Sequence, residues 1–423
     1  MAAIRVSAPA EAVDAAALWT AGEAVLRGNW REGTRGDGVP FAYTCPAPPR
    51  YRHMWHWDSC FHAIAWRLTE AARARAELRT VLRSGRGDGF LPHTVFWDAP
   101  AGWRRAPLYA TRGVFGDRCT ETIGPPLLAF AWELVADASS GDPGFRGEAL
   151  GELTTHMAWL EHHRDPDGDG LLSIVVPDES GLDDSPKYEP AFGRLTHDRV
   201  GYALLVERGR RARWDSHALI ARNDHHVEDV WLNVAFALSL HAMARLSGDA
   251  SWTLRATRVE QALLDRCLDE RTGLFFDLAG RHERPVRIST WSALSPLALP
   301  ALPERVRRRL VEQHLLDERR YGAPVGIPSV SMEEPSFNPG WDRFRTWRGP
   351  SWVNTAWLLV PAMRELGYEQ AADRVVSSLA AAALRDGFRE YYQPLTGQGL
   401  AARGFGWSTL LLEMVGGPPG IRH

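Results

Sequence analysis

Apolar residues recur at three- to four-residue spacing along almost the whole chain, in stretches such as "DSCFHAIAWRLT", "EDVWLNVAFALSLHAMARLSG" and "SWVNTAWLLVPAMRELG". That period belongs to the helix. Strand-like runs are few, "LLSIVVP" and "GLFFDL" being the best, and no β–α–β alternation appears. A parallel sheet is therefore not expected. The helical stretches come in pairs, an apolar one followed by a more charged one, as in "SWVNTAWLLVPAMREL" and then "EQAADRVVSSLAAAAL". Inner and outer rings of an all-α toroid would produce that alternation. With no low-complexity linker, residues 1–423 read as one domain. Residues 165–226 are loop-rich for such a length and read as an insertion or cap at the mouth of the toroid.

The bulk chemistry excludes several classes. Net charge is −3 with acids and bases interspersed, which leaves no electrostatic footprint for nucleic acid. Cys45, Cys60, Cys119 and Cys267 are scattered without metal-like spacing. The first residues lack a basic stretch followed by an apolar core, and no apolar run looks long enough to span a membrane. The expectation is a cytoplasmic soluble protein, with self-association left open. No phosphate loop, dinucleotide fingerprint, HExxH or G-x-S-x-G is present, so no cofactor is expected.

One count is unusual: 18 Trp against 9 Tyr. Several of these Trp flank charged or turn-forming residues. In "YRHMWHWDSCFHA", Asp58 reads as an N-cap, with Trp55 and Trp57 in extended chain before the helix. Flat aromatic faces beside an acceptor suit a sugar ring; a hydrophobic staple over a capped helix is the competing reading. "PDESGLDDSPKYEP" crowds acids into one loop. "FNPGWDRFRTWRGPSWVNTAW" sets Arg343, Arg345 and Arg348 among Trp341, Trp347, Trp352 and Trp357. "GFREYYQPLTGQGLAARGFGWST" walls Glu390 with Tyr391 and Tyr392. Finally, Asp165, Asp167 and Asp169 in "RDPDGDGLL" copy the first half of a calcium loop, but Val176 stands where its bidentate Glu belongs. A carboxylate-rich turn without metal is the expectation there, and a cation site the alternative.

These segments occur in the order seen in the inverting α-glycosidases of glycoside hydrolase family 63, and the chain resembles the short bacterial branch that hydrolyses mannosylglycerate or glucosylglycerate. The quoted motifs run from Tyr51 to Ser408. The resemblance implies an (α/α)6 barrel and no metal in the chemistry. It implies that Asp183 in "ESGLD" is the general acid and Glu390 in "FREYY" the general base, with Asp184 as the rival acid. It further implies a sugar pocket of Tyr51, Trp55, Trp57, Asp58, Gly181, Trp347, Arg348, Gly349 and Trp352. Phe61 and His62 join that set, with packing at the helix start as their alternative.

Three positions depart from the family pattern. Met54 stands where Gln is common, Gly124 where Gln often precedes Pro-Pro, and Thr346 where Tyr often precedes "WRGP". Losing an amide and a phenol removes donors that a glycerate-specific pocket would use. A carboxylated aglycone still calls for a cation, and Arg112, Lys187 and Arg222 are the candidates. The competing functions are a trehalase-like or oligosaccharide α-glucosidase, a non-catalytic carbohydrate-binding toroid, and an epimerase, whose acid and base histidines are missing from the motifs.

Overall fold

The computed structural model describes residues 14–97, 119–138, 142–196, 199–342 and 345–416. The chain is mostly helical, and two kinds of segment alternate. One kind is almost wholly buried: His56–Trp66, Leu128–Asp137, Val230–Ser247, the tight 3-10 stretches Trp291–Ala298 and Gly406–Leu410, and Val353–Glu365. Each packs against the next along the chain, and Gly406–Leu410 returns to pack against His56–Trp66. The other kind keeps one polar face: Ala15–Asn29, Ala71–Arg83, Leu150–Arg164, Ser251–Ala262, Glu304–Leu310 and Glu369–Asp386. The split follows composition, since Glu369–Asp386 buries Ala372, Val376, Leu379 and Ala383 along one face and leaves Asp373, Arg374 and Arg385 exposed.

The paired pattern read from the sequence thus appears as packing. Boundaries moved where proline or local geometry intervened. The stretch "GFRGEALGELTTHMAWLEHHRD" forms Phe145–Glu148 and Leu150–Arg164 rather than one helix. "LLSIVVP" contributes Ser173–Ile174 as strand, and "GLFFDL" contributes Leu274–Phe275 and the first residue of Leu278–Ala279. A four-stranded antiparallel patch runs in the order Arg284–Pro285, Leu278–Ala279, Val227–Glu228, Ser173–Ile174. Contrary to expectation, one helix, Val230–Ser247, is long and apolar enough to cross a membrane, with mean hydropathy 1.2. It is 78% buried inside the protein, against Ser251–Ala262, Leu128–Asp137 and Leu150–Arg164. That packing accounts for its apolar character.

Residues 165–226 hold the Ser173–Ile174 strand, short 3-10 turns at Pro177–Ser180, Pro186–Tyr188 and Gly193–Thr196, and the helix Arg199–Arg211. Antiparallel Arg389–Tyr392 and Gly399–Arg403 carry Glu390 to within hydrogen-bonding reach of Tyr51, in the segment that precedes the His56–Trp66 helix.

Candidate active site

The first wall forms where extended chain turns into helix. Met54–Trp55 pairs with Thr94–Val95, and the amide of His56 donates to the His93 carbonyl at 2.8 Å. That bond satisfies an amide a capping side chain would otherwise serve. The helix therefore begins at His56, with Trp55 at the cap position. Asp58 lies inside the first turn and is not the N-cap, and Trp57 is helical rather than extended. The reading of both indoles on one strand is corrected accordingly. Asp58 is 3% exposed, and among the described residues no side chain bonds its carboxyl. Burial, aided by the nearby Glu390 and Glu77, holds it well above the usual carboxylate range.

The second wall is the acid-rich loop. Two of its acids are consumed in holding it. Glu179 accepts from the amides of Ile123 at 3.2 Å and Val175 at 2.8 Å and pairs with Arg164. Asp184 accepts from the amides of Thr346 at 2.5 Å and Trp347 at 2.7 Å, which opposes the burial that brings it to about 6. Asp183 is left over. Its side chain is exposed to water, yet surrounding protein is the first cause pushing its carboxyl well above the usual range, followed by Asp178, Asp184 and then Asp58. Both observations hold for a group projecting into a hollow: a water molecule reaches it, but bulk water does not surround it. Tyr202 donates to the Asp183 carbonyl and steadies the backbone. Gly181 has φ +72, and a Cβ there would stand 2.5 Å from Cζ2 of Trp57. Only glycine lets the loop lie flat against that indole.

The third wall carries Glu390, 5% exposed. Its Oε1 accepts from the Tyr51 hydroxyl at 3.0 Å and its Oε2 from the Ala402 amide at 3.1 Å. Burial pushes its pKa up, while these two donors and the guanidinium of Arg50 oppose the rise. Tyr51 is raised by burial first, then by Glu390, and also by Asp183. Tyr51 therefore feels both acids, and Asp58 couples to both as well. The three carboxyls occupy one neighbourhood.

Aromatic rings link these walls. Trp57 meets Trp407 at 5.0 Å and Trp347 at 6.2 Å; Trp347 stacks on Trp352 at 3.8 Å and 7°. Trp352 reaches Tyr391 at 4.6 Å, and Tyr51 touches Trp55 and Phe405 edge-on at 5.8 and 5.7 Å. Trp55 and Tyr51 remain half-buried, whereas Trp57, Trp347 and Trp352 are sealed. Among the described residues, the indole N–H groups of Trp352 and Trp407 and the Tyr391 hydroxyl have no hydrogen-bond partner. Phe405, Trp407 and Arg50 were missed as candidates, although "GFGWS" was in view and Arg50 directly precedes Tyr51. Arg50 lies 5.0 Å over the Tyr51 ring.

Other expected contacts do not survive. Phe61 and His62 are both sealed in the core, Phe61 against Trp57 and Trp357, His62 with Nδ1 3.4 Å from Glu77 and its ring on Gly406. The packing alternative describes them. Arg348 donates to Glu189 at 2.6 Å and to the Asp184 carbonyl at 3.1 Å, so it ties the acid loop to the Trp347 loop. Gly349 belongs to that tie, since a Cβ there would stand 2.9 Å from the Asn338 carbonyl. Lys187 is fully buried, with Nζ 2.7 Å from Asp229, 3.1 Å from Asp277 and 2.7 Å from Ser292. It cannot serve an aglycone carboxylate. Arg222 is exposed at the end of the His217–Ala221 turn, and no residue of the three walls is its bonding partner. Arg112 lies outside the described residues.

A solvent-reached acid, a second buried acid held by a phenol, and an aromatic lining are the parts that acid–base cleavage of a sugar acetal needs. The family model of the mannosylglycerate hydrolase MGH1-like glycoside hydrolase domain matches residues 51–408. The chain belongs to this family. It is a glycoside hydrolase, and its MGH1-like domain includes all three walls. Mannosylglycerate hydrolase of Thermus thermophilus is 30% identical over 408 residues, covering 88% of this chain and 95% of the relative. Glucosylglycerate hydrolase of Mycolicibacterium hassiacum is 27% identical, covering 86% and 92%. A crystal structure of a family 63 mannosylglycerate hydrolase from Thermus thermophilus, in complex with Tris and D-glycerate, superimposes with a TM-score of 0.81 at 28% identity, covering 94% of this chain and 99% of that one. The same enzyme has also been crystallised with glucose, giving a TM-score of 0.79 at 30% identity with the same coverage of both chains.

Proposed function

We propose that this glycoside hydrolase cleaves a small α-linked glucoside or mannoside of glyceric acid with inversion, Asp183 acting as general acid and Glu390 as general base. The observation that carries the reading is that Tyr51, set edge-on to Trp55 and Phe405, holds Glu390 at 3.0 Å while it and Asp58 each feel both Glu390 and Asp183. The printed activities of the relatives favour the glycerate aglycone.

The chemistry follows from the environments. Asp183, held protonated by burial and neighbouring acids, hands its proton to the leaving oxygen. Glu390, its charge supported by the Tyr51 and Ala402 donors, takes a proton from a water attacking the opposite face of the ring. Such pairs stand about 6.5–9.5 Å apart to admit the water. Asp58 accepts hydroxyls of the cleaved sugar, and Trp55 and Tyr51 meet its C–H face. Arg50, which lies over the Tyr51 ring, is the cation that most favours the ionised form of Glu390.

The closed cycle of buried segments, each backed by an amphipathic one, supports an (α/α)6 barrel as the architecture. Residues 165–226 would then cap its mouth. Four cysteines without disulfides fit a reducing cytoplasm. Self-association is open and would be read from sedimentation.

The experiment is a substrate panel of mannosylglycerate, glucosylglycerate, trehalose and maltose-type sugars, with the first anomer released followed by NMR. A β-anomer from an α-glycerate glycoside is expected. A retained configuration overturns the mechanism, turnover of trehalose alone moves the aglycone, and binding without turnover makes the protein a carbohydrate binder.

A further inference from the structure

We propose that the Asp-rich turn after the Leu150–Arg164 helix, joined by Glu228 and Glu283, binds a hard divalent cation of calcium's size. Asp167, Asp169, Glu228 and Glu283 each present a carboxylate oxygen, and these four oxygens all lie within 4.8 Å of one another. Calcium–oxygen bonds of about 2.3–2.6 Å place opposite ligands about 4.6–5.2 Å apart, whereas magnesium's shorter bonds need about 4.2 Å. An all-oxygen donor set selects hard cations over thiophilic or imidazole-seeking ones.

An acidic cluster alone would be a solvated turn. The second observation is Glu228. It is 4% exposed, on a strand flanked by Ser173–Ile174 and Leu278–Ala279, and its Oε2 has no hydrogen-bond partner. A buried carboxylate oxygen left so is costly unless a cation meets it. Arg266 pairs with Asp169 at 2.7 Å and with Glu283, one positive charge against four carboxylates. The Asp169 oxygen at that contact is still out of hydrogen-bonding alignment.

The turn is built to hold its shape. The two carboxylate oxygens of Asp165 accept the amides of Asp169 and Gly170, each at 3.0 Å. Gly168 and Gly170 have φ +74 and +96, which lets the chain wrap. The acid missing at Val176 is supplied from elsewhere in the fold. A cation here would join the strand that leads through Pro177–Ser180 to Asp183 with the strand that ends beside Asp229, the partner of Lys187 and Tyr188. The site stands independently of the glycosidase mechanism.

The full-length protein, stripped with EGTA and dialysed, is titrated with calcium chloride and with magnesium chloride by calorimetry and thermal melting. Saturable heat and a saturating rise in Tm with calcium, smaller with magnesium, are expected. Glu228→Gln and Asp167→Asn should each lose most of that rise, and Asp167→Asn, which removes a repelling charge, should melt no lower than the metal-free parent. Asp167 is exposed, so its variant tests the site even if Glu228→Gln misfolds. No heat and no Tm shift in the parent, or a full calcium shift retained in both variants, would overturn the site.

Discussion

The phenol of Tyr51 donates a 3.0 Å hydrogen bond to Oε1 of Glu390 across a sequence separation of 339 residues. The bond stabilises the ionised carboxylate against the burial that raises its pKa. Tyr51→Phe should therefore raise the Glu390 pKa further. The base must be ionised, so activity is lost as pH falls through that pKa, and the acidic limb of kcat should move to higher pH. A hydrogen bond to a charged group is worth about 1.5–3 kcal/mol, hence a shift of about one to two pH units. A pH–rate profile reads it; an unmoved acidic limb removes Glu390 from the role of base.

Asp183 carries the other limb. Its pKa is raised, by burial and then by Asp178 and Asp184, and the acid must be protonated, so activity falls as pH rises through it. Asp183→Asn should lower kcat about 10²–10⁴-fold with little change in ligand-induced Trp quenching. Asp178, itself brought to about 7 by burial and Glu179, offers a gentler probe. Asp178→Asn removes a repelling charge, so the alkaline limb should move to lower pH.

Asp184 separates from Asp183 by phenotype. Its carboxylate holds the amides of Thr346 and Trp347. Asp184→Asn keeps one acceptor and should cost about 1–3 kcal/mol of stability. Denaturant melts and the pH profile together decide: a lost alkaline limb with unchanged stability would exchange the two roles.

Gly181→Ala pits a methyl group against the Trp57 indole at a positive φ. Strain and overpacking predict about 1–3 kcal/mol of destabilisation. Near-UV circular dichroism should report the displaced indole, and KM for the glycoside should rise. A variant as stable and as active as the parent would show that the loop lies farther from Trp57.

Lys187→Met tests a buried charge. Removing it strands Asp229 and Asp277, a loss of about 3–5 kcal/mol. Because Lys187 is sealed, KM for a glycerate glycoside should not rise relative to KM for a neutral glycoside. A selective rise for the glycerate would return Lys187 to the aglycone pocket.

The amino-acid sequence by itself determined that the chain would be helical and which motifs would supply its acids and aromatics. Hydrophobic period is a local property, and "ESGLD", "WRGPSW" and "FREYY" are contiguous strings. Tertiary structure alone decided the fate of each polar group. Asp184 accepts the Thr346 and Trp347 amides and Glu179 the Ile123 amide, all brought from distant segments, while Asp183, in the same loop, is left for other work. Asp58 lost the capping role because His93, from another strand, satisfied the helix start first. Lys187, a candidate for the aglycone carboxylate by its sequence, is the counter-charge of two buried aspartates. Glu228 stood beside no motif until strand pairing set it against the Asp-rich turn. A side chain's chemistry depends on what desolvates it and what bonds it, and both come from residues far along the chain.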